Sequence, residues 1–161
     1  MIAELRQYKE KKVKVGNIEI NFAEAGKGVP LLFIHGWTNN WWGWIPVALR
    51  LKKYFRVIMI DLPGYGDSGR LKSYSLKIEA EYIRLFLEAL KIDKAIMIGH
   101  SMGTYVVSKF VSLFPEKINK VILIGAVFRG ENKKIRLSIT NKFFETVQGH
   151  KKNRIIGKKC G

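Results

Sequence analysis

Short, almost continuously apolar runs alternate with longer amphipathic stretches along most of this chain. Runs such as VPLLFI and KAIMIG have the length of a strand and lack the period-two alternation of a sheet with one solvated face. Between such runs, SLKIEAEYIRLFLEALKI places its apolar residues at helical spacing. Strands buried on both faces and separated by helices indicate a mainly parallel sheet with helices on both sides. The predicted fold class is therefore α/β.

The alternating pattern predicts one domain over residues 1–128. Within it, KKVKVGNIEINFAEAG alternates at period two on both sides of Gly16, which predicts an early β-hairpin. Residues 129–148 carry apolar side chains four positions apart, and we expect a further helix to begin there. Residues 149–161 are rich in lysine and have no periodicity, so we interpret them as a basic, disordered tail.

The charge distribution excludes some classes of partner. Of the net charge of +16, residues 129–161 carry +8, and the other lysines are scattered rather than interleaved with aromatic residues on one helix. This is typical of a solvated basic surface, and we expect no specific nucleic-acid partner.

No window approaches the roughly 20 apolar residues of a membrane span, and the charged start does not resemble a signal peptide. We therefore expect a cytoplasmic protein.

The one cysteine bears on metal binding. It is Cys160, so an intrachain disulfide and a thiolate metal cluster are both excluded. We expect neither a metal nor an organic cofactor.

Three strand ends carry residues of unusual types. They are HGW at residues 35–37, DLPG at 61–64 and GHSMG at 99–103. Because sites in open parallel sheets form at the carboxyl ends of the strands, we expect these loops to lie together. The last loop is a G-x-S-x-G between a strand and a helix, the setting of a nucleophile elbow. Such a turn forces Ser101 into a strained conformation, and Gly99 and Gly103 allow strand and helix to pack closely.

These motifs, in this order and spacing, resemble the amino-terminal portion of the α/β-hydrolase fold family, in its esterase, lipase and C–C hydrolase branch. The matching residues are HGW after the third strand, DLPGYGDSG after the fourth and GHSMG after the fifth. The similarity extends from about Val13 to Phe128. It implies an incomplete α/β-hydrolase fold that lacks the last strands, with residues 129–148 as the start of a cap helix. Serine at position 101 resembles the esterase-like members rather than those that use aspartate there.

The resemblance also implies roles for individual residues. Ser101 would attack a carbonyl carbon of a small-molecule acyl substrate, and the backbone amides of Trp37 and Met102 would form the oxyanion hole. Gly36 would permit close approach of the backbone. The implied reaction is acyl transfer to water through an acyl-serine intermediate. We interpret His35 and His100 as structural, and leave open whether the tryptophans line an acyl pocket or pack a helix onto the sheet.

The family completes its site with an acid and then a histidine on loops after further strands. Here the only histidine after Ser101 is His150, and chain order permits Glu131 or Glu145 as the acid of an improvised triad. Our leading interpretation is a truncated or frameshifted hydrolase with weak or no activity. The alternatives are an enzyme completed by a partner chain or an oligomer, which would cover the exposed edge strand KVILIGA, and a non-catalytic binding module.

Overall fold

Six strands form one mixed sheet in the structure, a computed structural model that describes Tyr8 and residues 10–126. The order across the sheet is β1-β2-β4-β3-β5-β6, in which β1 and β2 are antiparallel and β4, β3, β5 and β6 run parallel. The strands are β1 (Glu10–Val15), β2 (Ile18–Ala25), β3 (Pro30–Ile34), β4 (Arg56–Ile60), β5 (Ala95–His100) and β6 (Ile118–Ile124).

Three α-helices connect the parallel strands. They are α1 (Ile45–Leu51), which follows a 3₁₀ turn at Trp41–Trp44, α2 (Leu76–Ala89) and α3 (Met102–Leu113), and a second 3₁₀ turn spans Pro115–Lys117. The side chain of Ser75 caps α2 by accepting a hydrogen bond from the amide of Ile78, 3.2 Å away. The predicted α/β class, with a mainly parallel sheet and helices, is confirmed.

Both faces of the central strands are buried, which explains their continuous apolar runs. In β3, Leu32 and Ile34 pack into a cluster with α2 and α3, whereas Leu31 and Phe33 pack on the opposite face with Trp44 and α1. Burying one such side chain contributes about 1.5–3 kcal/mol. Packing on both faces holds β3, β4 and β5 in place, and because these strands are parallel, their carboxyl ends lie at one edge of the sheet.

The predicted hairpin is present, with Gly16 at φ 57° in the turn between β1 and β2. β4 begins at Arg56, because the Phe55 amide still donates to Leu51 at the end of α1. β6 begins earlier than the run KVILIGA, at Ile118, and ends before Gly125.

Within the described residues, β6 pairs only with β5 and is therefore an edge strand, as the sequence predicts. It is covered on one face only: Val121 and Leu123 pack toward α3, whereas Ile122 and Ile124 are 47% and 44% exposed. The expected helix in 129–148 and the tail 149–161 lie outside the described residues. None of the described helices has the length and apolar character needed to cross a bilayer.

Candidate active site

Ser101 lies at a sharp turn between β5 and α3. Its backbone adopts φ 47° and ψ −115°, a conformation that costs about 1–3 kcal/mol in a residue other than glycine. Hydrogen bonds on both sides hold it: the Ser101 amide donates to Ile124 in β6, 2.9 Å away, and the Ser101 carbonyl accepts from the amide and the hydroxyl of Thr104 at 2.9 and 2.6 Å. The side chain is exposed. The turn thus presents the Ser101 hydroxyl at the carboxyl end of the sheet.

The two flanking glycines are required by close backbone contacts. A Cβ added to Gly103 would lie 2.5 Å from the carbonyl oxygen of Ile34 and 2.6 Å from that of His35. One added to Gly99 would lie 2.7 Å from the carbonyl oxygen of Gly103. Real Cβ atoms do not approach backbone this closely, so the first turn of α3 can pack on β3 and β5 only with glycine at both positions.

The loop after β3 lies directly against the elbow. A Cβ on Gly36 would be 3.2 Å from the Cβ of Ser101 and 3.2 Å from the carbonyl oxygen of His100. Trp37 follows Gly36 along the chain, and Met102 follows Ser101. Neither backbone amide donates a hydrogen bond to an acceptor among the described residues. The Met102 amide also opens α3, where the helix dipole favours negative charge. The structure therefore brings together the segments of the two predicted oxyanion donors.

A buried carboxylate, Asp61, organises the loop after β4. Its Oδ1 accepts a hydrogen bond from the Trp41 amide at 2.8 Å, and its Oδ2 accepts from Asn21 Nδ2 at 2.9 Å and the Asp67 amide at 3.0 Å. Its main-chain oxygen accepts from the Ser68 hydroxyl at 2.7 Å. One side chain therefore ties the hairpin, the turn before α1 and its own loop together. Sequence reasoning missed Asn21 and Ser68, because Asn21 alternates with the apolar Ile20 and Phe22 and so falls on the polar side of the strand pattern, although it is completely buried.

His35 is almost completely buried and uses both ring nitrogens. Nδ1 lies 2.8 Å from the Gly36 carbonyl oxygen and donates to it, whereas Nε2 accepts from the Leu62 amide at 3.0 Å. Burial lowers the pKa of His35, and this outweighs the opposite effects of the Gly36 carbonyl and the Asp61 carboxylate. His35 is therefore a neutral brace between two loops, and neither nitrogen is free to accept a proton from serine.

No side chain within residues 10–126 is hydrogen-bonded to the Ser101 hydroxyl. The ring of His100 instead packs edge-on against Trp44, with centroids 6.2 Å apart. The predicted base, His150, and the two candidate acids that accompany it lie outside the described residues. Among the described residues, no three His, Cys, Asp or Glu side chains group as a metal ligand set.

The four tryptophans divide into two kinds. Trp41 and Trp44 are buried and pack against the sheet, so for these two the packing alternative applies. Trp42 is exposed, and its indole nitrogen donates to Glu10 at 3.3 Å. Trp37 is 69% exposed beside the elbow, and its ring stacks edge-on against Tyr65 at 6.4 Å. Trp37 follows the glycine that packs against Ser101, so its exposed indole lies beside the elbow.

Known proteins resemble this chain in sequence. Residues 29–155 fit the model of a family described as alpha/beta hydrolase fold. Bifunctional epoxide hydrolase 2 from Mus musculus is 31% identical over 120 residues, which make up 72% of this chain and 22% of that protein. The 2-hydroxy-6-oxo-2,4-heptadienoate hydrolase from Pseudomonas putida is also 31% identical over 120 residues, or 71% of this chain and 44% of that protein.

A solved structure agrees with these relatives. A bacterial membrane phospholipase A superposes with a TM-score of 0.71 and 29% identity, over 76% of this chain and 43% of that one. In each case the chain spans less than half the length of the protein it resembles.

Proposed function

Because this chain belongs to the α/β-hydrolase fold family, we propose that it acts as a serine hydrolase on a carboxylic ester or a related acyl substrate, with Ser101 as the nucleophile. The observation that carries the proposal is the strained, exposed Ser101 with the Gly36 loop packed against it. Relatives named as epoxide hydrolases support the hydrolase class. The serine hydroxyl supports attack on a carbonyl group within that class.

The proposed reaction has two halves. The Ser101 oxygen attacks the carbonyl carbon, its proton passes to a base, and the carbonyl oxygen becomes an oxyanion between the amides of Trp37 and Met102. Collapse of this intermediate breaks the bond to the leaving alcohol, which takes up the proton, and leaves an acyl-serine. Water then attacks the acyl carbon, and the same steps release the acid and restore the Ser101 hydroxyl.

The side chains beside Ser101 favour an apolar substrate. Trp37 offers an exposed indole, and Tyr65 and Met102 are half-buried and pack on the apolar cluster beneath them. Such surfaces bind hydrocarbon groups through the apolar area they remove from water. The proposed acyl or alcohol group next to the scissile bond is therefore apolar.

The base is the part of the site that the described residues leave unfilled, since His35 is engaged at both nitrogens. His150 remains our prediction for that role. Removing the base from a serine hydrolase lowers turnover by about 10⁶ and leaves roughly 10³–10⁴ over water. We therefore propose weak turnover wherever His150 or another base does not reach Ser101.

A second candidate is a site completed by another chain. The observation that favours it is β6, which within residues 10–126 has an unpaired outer edge and exposed Ile122 and Ile124. A partner strand paired with β6 would be separated from β5, the strand that leads into the elbow, by β6 alone. A non-catalytic binding module, our other alternative, would keep the pocket at Ser101 and bind an acidic partner through the basic residues 149–161, without acylation of Ser101.

Hydrolysis of p-nitrophenyl butyrate tests the proposal. We expect a rate above the uncatalysed background that falls to background in Ser101→Ala. It should persist in Ser112→Ala, which removes an exposed hydroxyl from the same helix. Rates that rise steeply with protein concentration would favour the two-chain site. A rate that is unchanged in Ser101→Ala would refute the proposed nucleophile.

A further inference from the structure

Tyr65 touches both segments that carry the proposed oxyanion donors. Its hydroxyl donates a hydrogen bond to the sulfur of Met102, 3.4 Å away. Its ring packs edge-on against Trp37 at 6.4 Å and against His35 at 5.1 Å between centroids. One side chain from the loop after β4 thus spans the gap between the loop after β3 and the start of α3.

The backbone that carries Tyr65 is held in place independently of these contacts. The Tyr65 amide donates to Leu62 at 2.9 Å, and the Tyr65 carbonyl accepts from the Ser68 amide at 3.0 Å. The Ser68 hydroxyl is in turn bonded to the buried Asp61. A Cβ on Gly66 would clash with the Asp61 carboxylate, so the loop is also closely packed next to Tyr65. The backbone of Tyr65 therefore lies in a turn that is held by hydrogen bonds and close packing.

The phenol is well suited to act as a donor. Burial raises the pKa of Tyr65, and the carboxylate of Glu79 raises it further, so the hydroxyl keeps its proton at physiological pH. Its acceptor, Met102, has a flexible thioether side chain that takes up several rotamers when nothing restrains it. The hydrogen bond to Tyr65 selects one of them at the first residue of α3.

We propose that Tyr65 is a positioning residue that holds the amides of Trp37 and Met102 at the spacing an oxyanion requires. The inference rests on the proposed function, because it concerns the same hole. Two donors from separate segments stabilise an oxyanion only when both lie about 2.7–3.1 Å from it. A misplacement of about 1 Å costs on the order of 10²-fold in rate. Tyr65 is the side chain that joins the two segments across this gap.

The rate at which a fluorophosphonate phosphonylates Ser101 tests the positioning role of Tyr65 directly, because the reagent places a negative oxygen in the same oxyanion hole. In Tyr65→Phe, which loses only the bond to Met102, we expect the maximal labelling rate to fall about threefold to tenfold. In Tyr65→Leu, which also loses the ring contacts, we expect a fall of about 100-fold. The half-saturating reagent concentration should stay within about twofold in both, because reagent binding is not what Tyr65 controls.

Tyr74→Phe is the matched control. It removes a phenol hydroxyl from the same stretch of chain, where Tyr74 accepts from the Leu71 amide at 3.0 Å and has no contact with Met102 among those described. Its maximal labelling rate should equal that of the unmodified protein. An equal fall in Tyr74→Phe and Tyr65→Phe would overturn the inference, because it would indicate general loosening of the loop.

Amide resonances of ¹⁵N-labelled protein separate this inference from the proposed function. In Tyr65→Phe we expect shifts at both Met102 and Trp37, and in Tyr74→Phe at neither. If the protein without substitutions is not labelled at Ser101, the proposed function fails. The spectra still decide whether Tyr65 joins the Trp37 and Met102 segments. Unshifted Trp37 and Met102 amides in Tyr65→Phe would overturn the inference whatever the labelling shows.

Discussion

Gly36 packs against Ser101 so closely that a Cβ on the glycine would lie 3.2 Å from the Cβ of the serine. That spacing is tighter than ordinary van der Waals contact, and it joins two loops that are 65 positions apart in the chain. The proposed hole depends on this contact, since Trp37 follows the glycine and Met102 follows the serine.

Gly36→Ala should therefore damage reactivity more than stability. The added methyl group must displace the Trp37 segment by a few tenths of an ångström, and we expect the labelling rate of Ser101 to fall about tenfold. Thermal unfolding should move by only a few degrees. Gly43→Ala is the control, because its methyl group meets the amide side chain of exposed Asn39 rather than the elbow. Equal reactivity in the two variants would contradict the account.

Gly103→Ala should have the opposite balance and act mainly on folding. Its methyl group would meet the carbonyl oxygens of Ile34, the last residue of β3, and of His35, which follows it and is held by hydrogen bonds at both ring nitrogens. Overpacking of this kind costs about 1–3 kcal/mol in the free energy of unfolding. Urea denaturation measures it, with Ser112→Ala as the reference substitution in the same helix. A loss below about 0.5 kcal/mol would show that α3 does not need to lie this close to β3.

Asp61→Asn should destabilise the loop after β4 although it keeps the shape of the side chain. The carboxylate accepts three N–H hydrogen bonds, one at Oδ1 and two at Oδ2, and the amide nitrogen that replaces either oxygen cannot accept the bonds made to that oxygen. Leaving buried donors unpaired costs about 1–3 kcal/mol. Asp67→Asn, which changes an exposed carboxylate six residues away, should cost less than about 0.5 kcal/mol. Urea denaturation measures the free energy of unfolding of both variants. Equal losses in the two would argue against Asp61 as the residue that organises the loop.

His35 should make stability depend on pH just below neutrality. Its folded-state pKa is lowered by burial, so the unfolded chain binds the proton more readily. The free energy of unfolding should therefore fall as pH drops below about 6.5, the pKa of an unperturbed histidine, and continue falling toward the lower folded value. Above that range His35 is neutral in both states and contributes no slope.

The variant His35→Asn isolates this contribution. It should be less stable near pH 7, because the bonds to Gly36 and Leu62 are weakened. Between about pH 6.5 and 5 its stability should vary less with pH than that of the unmodified protein. Parallel curves for the two proteins over this range would show that His35 is not kept neutral by the fold.

The parts of the site that sequence predicts are those encoded by local backbone geometry. The elbow at Ser101 was predicted from glycines two positions either side of it between a strand and a helix, and in the structure both glycines make close backbone contacts there. The hydrogen bonds of Asn21 with Asp61 and Ser68 were not predictable, since they join residues 40 and 47 positions apart whose meeting depends on strand order. The contacts of Tyr65 were missed for the same reason, since its three partners come from the loop after β3 and from the first residue of α3.

The tryptophans show a second limit. Trp41 and Trp37 are four residues apart in one loop, yet one is buried and the other largely exposed. The Asp61 carboxylate accepts a hydrogen bond from the Trp41 amide and so holds the start of the turn in which Trp41 is buried, a contact between residues 20 positions apart. Composition and spacing alone therefore left the two uses of tryptophan undecided.

Treating the protein with a fluorophosphonate and mapping the modified peptide by mass spectrometry shows directly whether Ser101 is the nucleophile. We expect one adduct, on Ser101, that is absent in Ser101→Ala and retained in Ser112→Ala. An unmodified Ser101 after exhaustive treatment, or an adduct that persists in Ser101→Ala, would contradict it.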